Sequence, residues 1–328
     1  MNTPDVTVLI PAYNSEAYVG EAVDSCLGQQ WDFPYEILVV DDGSTDYTAR
    51  VASSRGHPVR VIRLKANGGL ARAPNQGLTH ARGQIILRLD ADDRMLPGRA
   101  TKQCRYMKEH PEVTISFGRA VYSNAPEVDW YRQFGIPHTE IPPGDSFAIV
   151  ERPLDWLLLY QCFIPHSTVA MRRDEVSNLG GYDGTNGMAE DYDLWLRAAA
   201  SGATFAWTAQ KLAWIRRQGH GNIMHSPKAY ALLPHALSKA LSDEKVLSGA
   251  SERALANARR RMCTASNALL RYRWAYHGRS AVHEELDTLD NALPWCLRLK
   301  WQILSMLPPA LGRWARSLKH SVLVKASE

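Results

Sequence analysis

The sequence predicts an α/β fold with a mostly parallel central sheet flanked by helices, followed by a helical C-terminal region. Three observations carry this expectation. Short β-branched runs alternate with segments of helical period as far as Leu89, and each run ends in an Asp-rich, Gly-rich or Pro-containing turn. Beyond Pro227 the texture changes to Ala, Leu and Arg at helical spacing.

Val6-Thr7-Val8-Leu9-Ile10 reads as a strand stopped by Pro11, and the stretch from Glu16 to Gln29 reads as a helix. The pattern recurs as Glu36 to Val40 before Asp41-Asp42-Gly43-Ser44, as Val59 to Leu64 before Asn67-Gly68-Gly69, and as Gln84 to Leu89 before Asp90. Strands that alternate with helices wind into a parallel sheet, and ligands then collect beyond the carboxyl ends of the strands. Every acidic or Gly-rich cluster so far falls at that edge. A further strand is expected at Ile115 to Tyr122, followed by a connection holding Trp130, Tyr131, Phe134, Pro137, Pro142 and Pro143, which reads as a lid or acceptor wall. Ser167 to Met171 reads as a strand, Gly180-Gly181 as a turn, and a helix opens near Glu190. The boundary between a catalytic domain (1–225) and a helical region (226–328) is set by the change of texture, and Gly249, Gly278 and Pro308-Pro309 should interrupt the helices of that tail.

With 328 residues, 45% hydrophobic and 22% charged, the chain has the composition of an ordinary folded protein. A net charge of +4 without a dense Lys/Arg tract argues against a nucleic-acid partner. Cys26, Cys104, Cys162, Cys263 and Cys296 are odd in number and widely spaced, which suggests reduced thiols and a cytoplasmic location rather than zinc or a redox pair. The N-terminus lacks the pattern of a signal peptide. The apolar stretch from Leu154 to Pro165 is far shorter than the roughly 20 residues that a membrane span requires.

The sharpest chemical signal is Asp90-Ala91-Asp92-Asp93 at the end of a buried strand. Carboxylates this close repel one another, so the cluster reads either as a solvated acidic turn or as a site for a bound cation. Oxygen-only ligands point to Mn²⁺ or Mg²⁺ bridging a diphosphate. A second cluster, Glu190-Asp191-Tyr192-Asp193, opens a helix, where acidic residues serve as caps or as a general base.

Taken together, Val8 to Asn14, Val39 to Asp46, Asn67-Gly68-Gly69-Leu70 and Asp90 to Asp93, in this order and spacing, resemble glycosyltransferase family 2 with the Rossmann-like GT-A fold. The resemblance spans about residues 5 to 225. It implies transfer of a sugar, with inversion, from a nucleotide diphosphate donor, UDP above all, to an acceptor hydroxyl. It assigns Pro11, Tyr13, Asn14 and Asp42 to the nucleoside, with Gly69, Arg72, Asp90, Ala91, Asp92 and Arg217 completing the nucleotide-sugar site. Tyr13 offers a face for base stacking, and Asp42 can accept an imide N–H. The resemblance further implies Asp92 and Asp93 as metal ligands, His220 as a third metal ligand or a phosphate donor, Asp191 as general base beside Glu190, and His166 and Trp195 on the acceptor side. In-line attack from the face opposite the diphosphate inverts the anomeric centre. One departure stands out: members usually carry Arg-Asn after the Asn-x-Gly turn, where this chain has Pro74-Asn75, with Arg72 nearby to substitute.

From Pro294 to Glu328, Arg298, Lys300, Arg313, Arg316, Lys319 and Lys325 are interleaved with Trp295, Trp301 and Trp314. This reads either as a peripheral contact with the inner face of a membrane or as a helical subdomain, and the former suits a lipid-linked saccharide acceptor in surface-polysaccharide assembly. A sugar-1-phosphate nucleotidylyltransferase would need a Gly-rich, Arg-bearing first loop, and a dinucleotide oxidoreductase would need GxGxxG. Pro11-Ala12-Tyr13-Asn14 is neither. A catalytically silent sugar-nucleotide-binding module remains the alternative from another class.

Overall fold

The computed structural model describes residues 3–123, 142–160, 162–185, 189–217, 229–289 and 293–305. Trp130, Tyr131, Phe134, Pro137, His220, the Pro308-Pro309 pair and the tail cations from Arg313 onward lie outside the described residues. The chain forms two compact units, Met1–His220 and Gly221–Glu328.

The first unit is built on a nine-stranded sheet. Its strands are β1 (Val6–Ala12), β2 (Tyr35–Asp41), β3 (Val59–Arg63), β4 (Ile85–Arg88), β5 (Arg94–Met95), β6 (Val113–Tyr122), β7 (Phe147–Ile149), β8 (Ala170–Arg172) and β9 (Thr204–Ile215). They are ordered β3-β2-β1-β4-β8-β6-β9-β5, with β7 also paired to β9. The helices are α1 (Val19–Leu27), α2 (Thr48–Ser53), α3 (Arg72–His80), α4 (Arg99–Glu109), α5 (Pro153–Tyr160), α6 (Arg173–Asn178) and α7 (Glu190–Ala200). The α/β class and the mostly parallel first half of the sheet agree with the sequence-based expectation.

Buried on both faces, β1, β2 and β4 read as continuous apolar runs rather than alternating ones. Val8, Ile10, Val39 and Leu87 form one core with Val19, Val23 and Cys26 of α1, whose spacing of four and three residues turns them toward the sheet. Register then aligns the carboxyl ends. Ala12 lies opposite Asp41, and Asp41 opposite Arg63, so the loops after β1, β2 and β3 open on one edge. The chain leaves β1 toward β2 on one side and pairs with β4 on the other, the kind of reversal that opens a crevice for a ligand.

Antiparallel pairing of β8 on β4 has the next consequence. Ile85 faces Arg172 and Leu87 faces Ala170, so the residues just before β8 run beside the carboxyl end of β4. Here the structure corrects the strand expected from Ser167 to Met171. His166–Thr168 is a 3₁₀ turn, and only Ala170–Arg172 is strand. The reason is competition for carbonyls. Fully buried Arg99 donates to the carbonyls of Ser167, Val169 (2.9 Å) and Arg88 (3.0 Å), and Gln103 donates to that of Thr168 (3.0 Å). Side-chain donors occupy the Ser167 and Thr168 carbonyls, and the ladder to β4 resumes only at Val169, whose carbonyl also accepts the Arg88 N–H (2.9 Å).

The second unit is helical: α8 (Ala229–Leu241), α9 (Glu244–Gly249), α10 (Glu252–Thr288) and α11 (Trp295–Ser305). Asp243 and Ser251 cap α9 and α10 through their side chains. Gly278, at φ 81°, kinks α10 at one of the expected interruptions. Buried Glu285 of α10 binds His235 of α8 (2.5 Å) and Arg273 of α10 (3.0 Å), tying the two helices together. Among the described residues, no helix is long and apolar enough to cross a membrane.

The Arg99 cluster generates a stability prediction. Arg99→Met removes donors from three buried carbonyls and is expected to lower the unfolding free energy by about 3 kcal/mol or more. Arg105→Ala breaks only the exposed pair with Asp32 and should change it by less than about 1 kcal/mol. Urea unfolding of both variants checks the contrast; equal effects would refute it.

Candidate active site

One side of the edge is assembled from the loops after β1 and β2. Tyr13 is 46% exposed and offers a free aromatic face. Asn14 sits at φ 47°; its N–H donates to Ser44 Oγ (2.9 Å) and its Oδ1 accepts the Thr45 N–H (2.9 Å), so it joins the two loops. Asp41 accepts the Ser44 N–H (3.0 Å) and faces Arg63 at 3.3 Å. Asp42 receives the Gly68 N–H on Oδ2 (2.9 Å), while its Oδ1 is buried and has no partner among the described residues. A buried acceptor left open in this way is suited to a ligand N–H. Gly43 must be glycine: at φ 71°, a Cβ there would lie 2.6 Å from the Ala66 backbone.

The turn after β3 carries Gly69 at φ 86°. Arg72, exposed at the start of α3, reaches back to the Ala66 carbonyl (2.8 Å) and so closes that turn. Pro74 occupies the first turn of α3, where its missing N–H costs nothing. Asn75 clasps the Tyr182 backbone at two points, donating to its carbonyl (2.7 Å) and accepting its N–H (2.8 Å). Within the departing Pro74-Asn75 pair, the Asn thus holds the Tyr182 segment in place.

The acidic cluster after β4 divides into distinct parts. Asp90 accepts from Arg88 (2.6 Å) and from Ser167 Oγ (3.2 Å); burial opposes its charge, but the Arg88 guanidinium holds the carboxyl below the usual range. Ala91 is buried. Asp93 is 2% exposed, with one oxygen on Ser167 Oγ (2.5 Å) and the other on the Arg216 N–H (2.9 Å). Asp92 differs from both: it is partly exposed, and its carboxylate makes no hydrogen bond to another described side chain or backbone group. Burial, then the Asp90 charge, push it up to about 6. Each oxygen of Asp93 thus already accepts one hydrogen bond and keeps one lone pair for the expected ligand role, whereas Asp92 is the carboxylate with no such donor.

Among the described residues, no three His, Cys, Asp or Glu side chains converge on one point. The described residues thus form no closed cage, and their arrangement fits a hard cation that takes one carboxylate from them and further ligands from phosphate and water. The donor set is oxygen only, and a desolvated carboxylate repelled by its neighbour gains from a cation.

Across from this cluster stands the start of α7. Glu190 and Asp191 are both raised above the carboxylate range, first by burial; Asp191 adds to the shift of Glu190, and Asp90 adds to both. Asp191 accepts the Tyr192 N–H (2.6 Å) on one oxygen and faces the Cys162 thiol at 3.7 Å with the other. One oxygen of Glu190 is buried without a partner among the described residues. His166 bonds the Tyr182 hydroxyl (3.0 Å) beside them, and burial, then Arg88, push its pKa down to about 3, so the ring is neutral. Trp195 is fully buried and packs edge-on against His166 with ring centroids 5.9 Å apart. It backs His166 from the interior, so any part it takes on the acceptor side is through the shape of the pocket rather than an exposed ring face.

Several contributors escaped the sequence reading. Arg88 lies in a strand otherwise apolar, two residues before Asp90 and on the same face, a signal that was available. Ser167, Tyr182 and Cys162 carried no local signal. The sequence points to Arg217, yet it is Arg216 that binds the Asp92 carbonyl (3.1 Å), stacks on Tyr18 and Trp214, and meets Glu21 at 2.7 Å. Arg217 points the other way, with its guanidinium 4.3 Å from the Tyr122 ring centroid. Alternation along an extended chain separates the two.

The sequence pattern described as "Glycosyl transferase family 2" matches residues 7–177. The amylovoran biosynthesis glycosyltransferase AmsE of Erwinia amylovora is 32% identical over 218 residues, covering 64% of this chain and 75% of that protein. An uncharacterized glycosyltransferase of Haemophilus influenzae is 30% identical over 214 residues, covering 64% and 75%. Among solved structures, S. aureus TarS in complex with UDP-GlcNAc aligns with a TM-score of 0.60 at 18% identity, covering 89% of this chain and 82% of that one. The mannosyltransferase PcManGT from Pyrobaculum calidifontis, in complex with GDP-Man and Mn2+, aligns at 0.54 and 21% identity, covering 97% and 87%.

The neutral state of His166 is directly testable. An ordinary histidine titrates between about pH 5 and about pH 8. The imidazole signal of His166, assigned by its loss in His166→Gln, should stay unmoved over that range in an NMR titration; a midpoint near 6.5 would contradict the buried geometry.

Proposed function

Because the chain belongs to glycosyl transferase family 2, we propose that it transfers a sugar, with inversion, from a nucleoside diphosphate donor, a UDP-sugar first among them, to an acceptor hydroxyl in bacterial surface-polysaccharide assembly. One observation carries the reading. The open Asp92 carboxylate and the raised Glu190–Asp191 pair lie close enough to the same Asp90 charge to feel it.

The residues take these roles. Tyr13 stacks the base and the open Oδ1 of Asp42 accepts the imide N–H of uracil. Asp92 holds the divalent cation, which when bound neutralises charge on the departing diphosphate. Asp90, fixed by Arg88 and Ser167, faces the donor sugar. Asp191 takes the proton of the acceptor hydroxyl as its oxygen attacks the anomeric carbon and the bond to the diphosphate breaks. A base raised by burial is a stronger proton acceptor than an ordinary aspartate, which suits a poorly acidic alcohol. The mannosyltransferase neighbour binds GDP-Man and TarS binds UDP-GlcNAc, so both bases belong in the test.

Calorimetric titration with UDP, dTDP and GDP, each with Mn²⁺ and with chelator, is the deciding experiment. Metal-dependent binding of one nucleotide is expected, and Asp92→Asn should abolish the metal dependence; no binding to any nucleotide refutes the reading. Asp191→Asn should lower kcat by roughly 10²-fold or more with nucleotide affinity unchanged. Because the base works ionised, kcat/KM should rise with pH through about 6 and then level off. A profile flat down to pH ~4.5, near an ordinary carboxylate, would remove Asp191 as the base.

A further inference from the structure

We propose that one face of α11 docks the helical unit on an anionic lipid surface. The helix has two unlike sides. Trp301 is 1% exposed; its indole N–H donates to Asn267 (3.1 Å) and its ring meets Trp274 edge-on, so it belongs to the packing of the unit. Trp295, Leu299 and Ile303 are 77%, 46% and 53% exposed. Spaced by four residues, they form one stripe along the helix. Three large apolar side chains aligned on a solvent face call for a partner.

Charge selects that partner. Residues 294–305 hold Arg298 and Lys300 and no acid. The whole helical unit carries sixteen Lys and Arg against eight Asp and Glu, a net +8, so residues 1–220 are net −4 and the bulk value of +4 conceals the contrast. Arg298 faces Asp287 at 3.9 Å, but Lys300, Arg253, Arg259 and Arg271 are exposed. By composition alone, residues 306–328 add four more cations against one acid. Such asymmetry between the parts of a chain marks a polyanionic surface as partner.

A nucleic acid would engage the cations and leave the apolar stripe in water. A lipid surface satisfies both: Trp295 at headgroup depth, Leu299 and Ile303 at the acyl boundary, and Lys300 among anionic headgroups. Eleven residues of helix span about 16 Å, too short to cross a bilayer, so the helix lies in the plane of the surface. This inference rests on the helical unit alone and does not depend on the catalytic reading.

The test is flotation of the full-length protein with phosphatidylcholine vesicles, with and without phosphatidylglycerol. Binding is expected only with the anionic lipid, weakening as salt rises. The Leu299→Glu/Ile303→Glu double variant, checked for folding by circular dichroism, should lose at least about tenfold in bound fraction. No flotation with anionic vesicles overturns the proposal, as does flotation that the double variant leaves unchanged. Duplex DNA binding in place of vesicle binding, or self-association that disappears in the double variant, would assign the face to another partner and overturn it too. Calorimetric nucleotide binding, measured on the same variant, is expected to be unaffected, which separates failure here from failure of the transferase reading.

Discussion

The architecture of the site depends on one buried cation, Arg99. Its guanidinium lies in the interior and gathers the carbonyls of Arg88, Ser167 and Val169, while its Nε donates to Gln103 at 3.0 Å. Burial pushes its pKa down to about 10, still well above neutrality, so the charge is kept and must be balanced by oriented dipoles. Those three carbonyls belong to two segments far apart in sequence, the end of β4 and the turn before β8. Holding them together sets Ser167 where its hydroxyl donates to Asp90 and Asp93 and its Oγ accepts the Asp90 N–H at 3.0 Å. The acidic loop is thus fixed from behind, and Asp92 is free to face outward because its neighbours are not.

A second cation, Arg88, balances the charge from the front. It pairs with Asp90, lies near His166 and Tyr182, and opposes the raised pKa of Glu190. Asp90 therefore stays ionised in surroundings that raise Asp92, Glu190 and Asp191. Asp93, although it accepts from Ser167 and Arg216, is also pushed up, to about 8, by burial and the Asp90 and Asp92 charges, so of these carboxylates it is Asp90, beside the Arg88 guanidinium, that is held low. Uncompensated buried charge is costly to keep, and it is what a charged or proton-bearing ligand removes when it binds.

The sequence made the frame of the first half legible because β1, β2 and β4 are buried on both faces and punctuated by turns that only Gly, Asn and Asp serve well. It also set Tyr13, Asp42 and Asp92 after β1, β2 and β4, whose parallel carboxyl ends share one edge; Asp191 opens a helix, and no strand end announces its place. Whatever depended on contacts between distant segments was hidden. Nothing local announces that Ser167 to Val169 gives its carbonyls to Arg99 and so turns instead of extending. Nor does local pattern separate Asp92 from Asp93, which differ only in what Arg216 and Ser167 do to the second of them. Trp195 illustrates the same limit, because an aromatic beside an acidic pair looks the same in sequence whether it faces a ligand or the core.

The thiol facing Asp191 bears on how basic that carboxylate is. Cys162 is a weak donor at 3.7 Å, and burial holds its pKa well above the usual thiol value, so it stays neutral and adds little stabilisation to the carboxylate. A hydroxyl or amide in its place would bind the anion more strongly, lower its basicity and compete with the acceptor for the same lone pair. On the other oxygen the Tyr192 N–H fixes the orientation of the carboxylate without filling that side of the site. A carboxylate held by one strong donor and one weak one keeps both its direction and its affinity for a proton, and that combination distinguishes Asp191 from Asp193 two residues on, which is bound to Arg197 at 2.7 Å and buried in the helix packing.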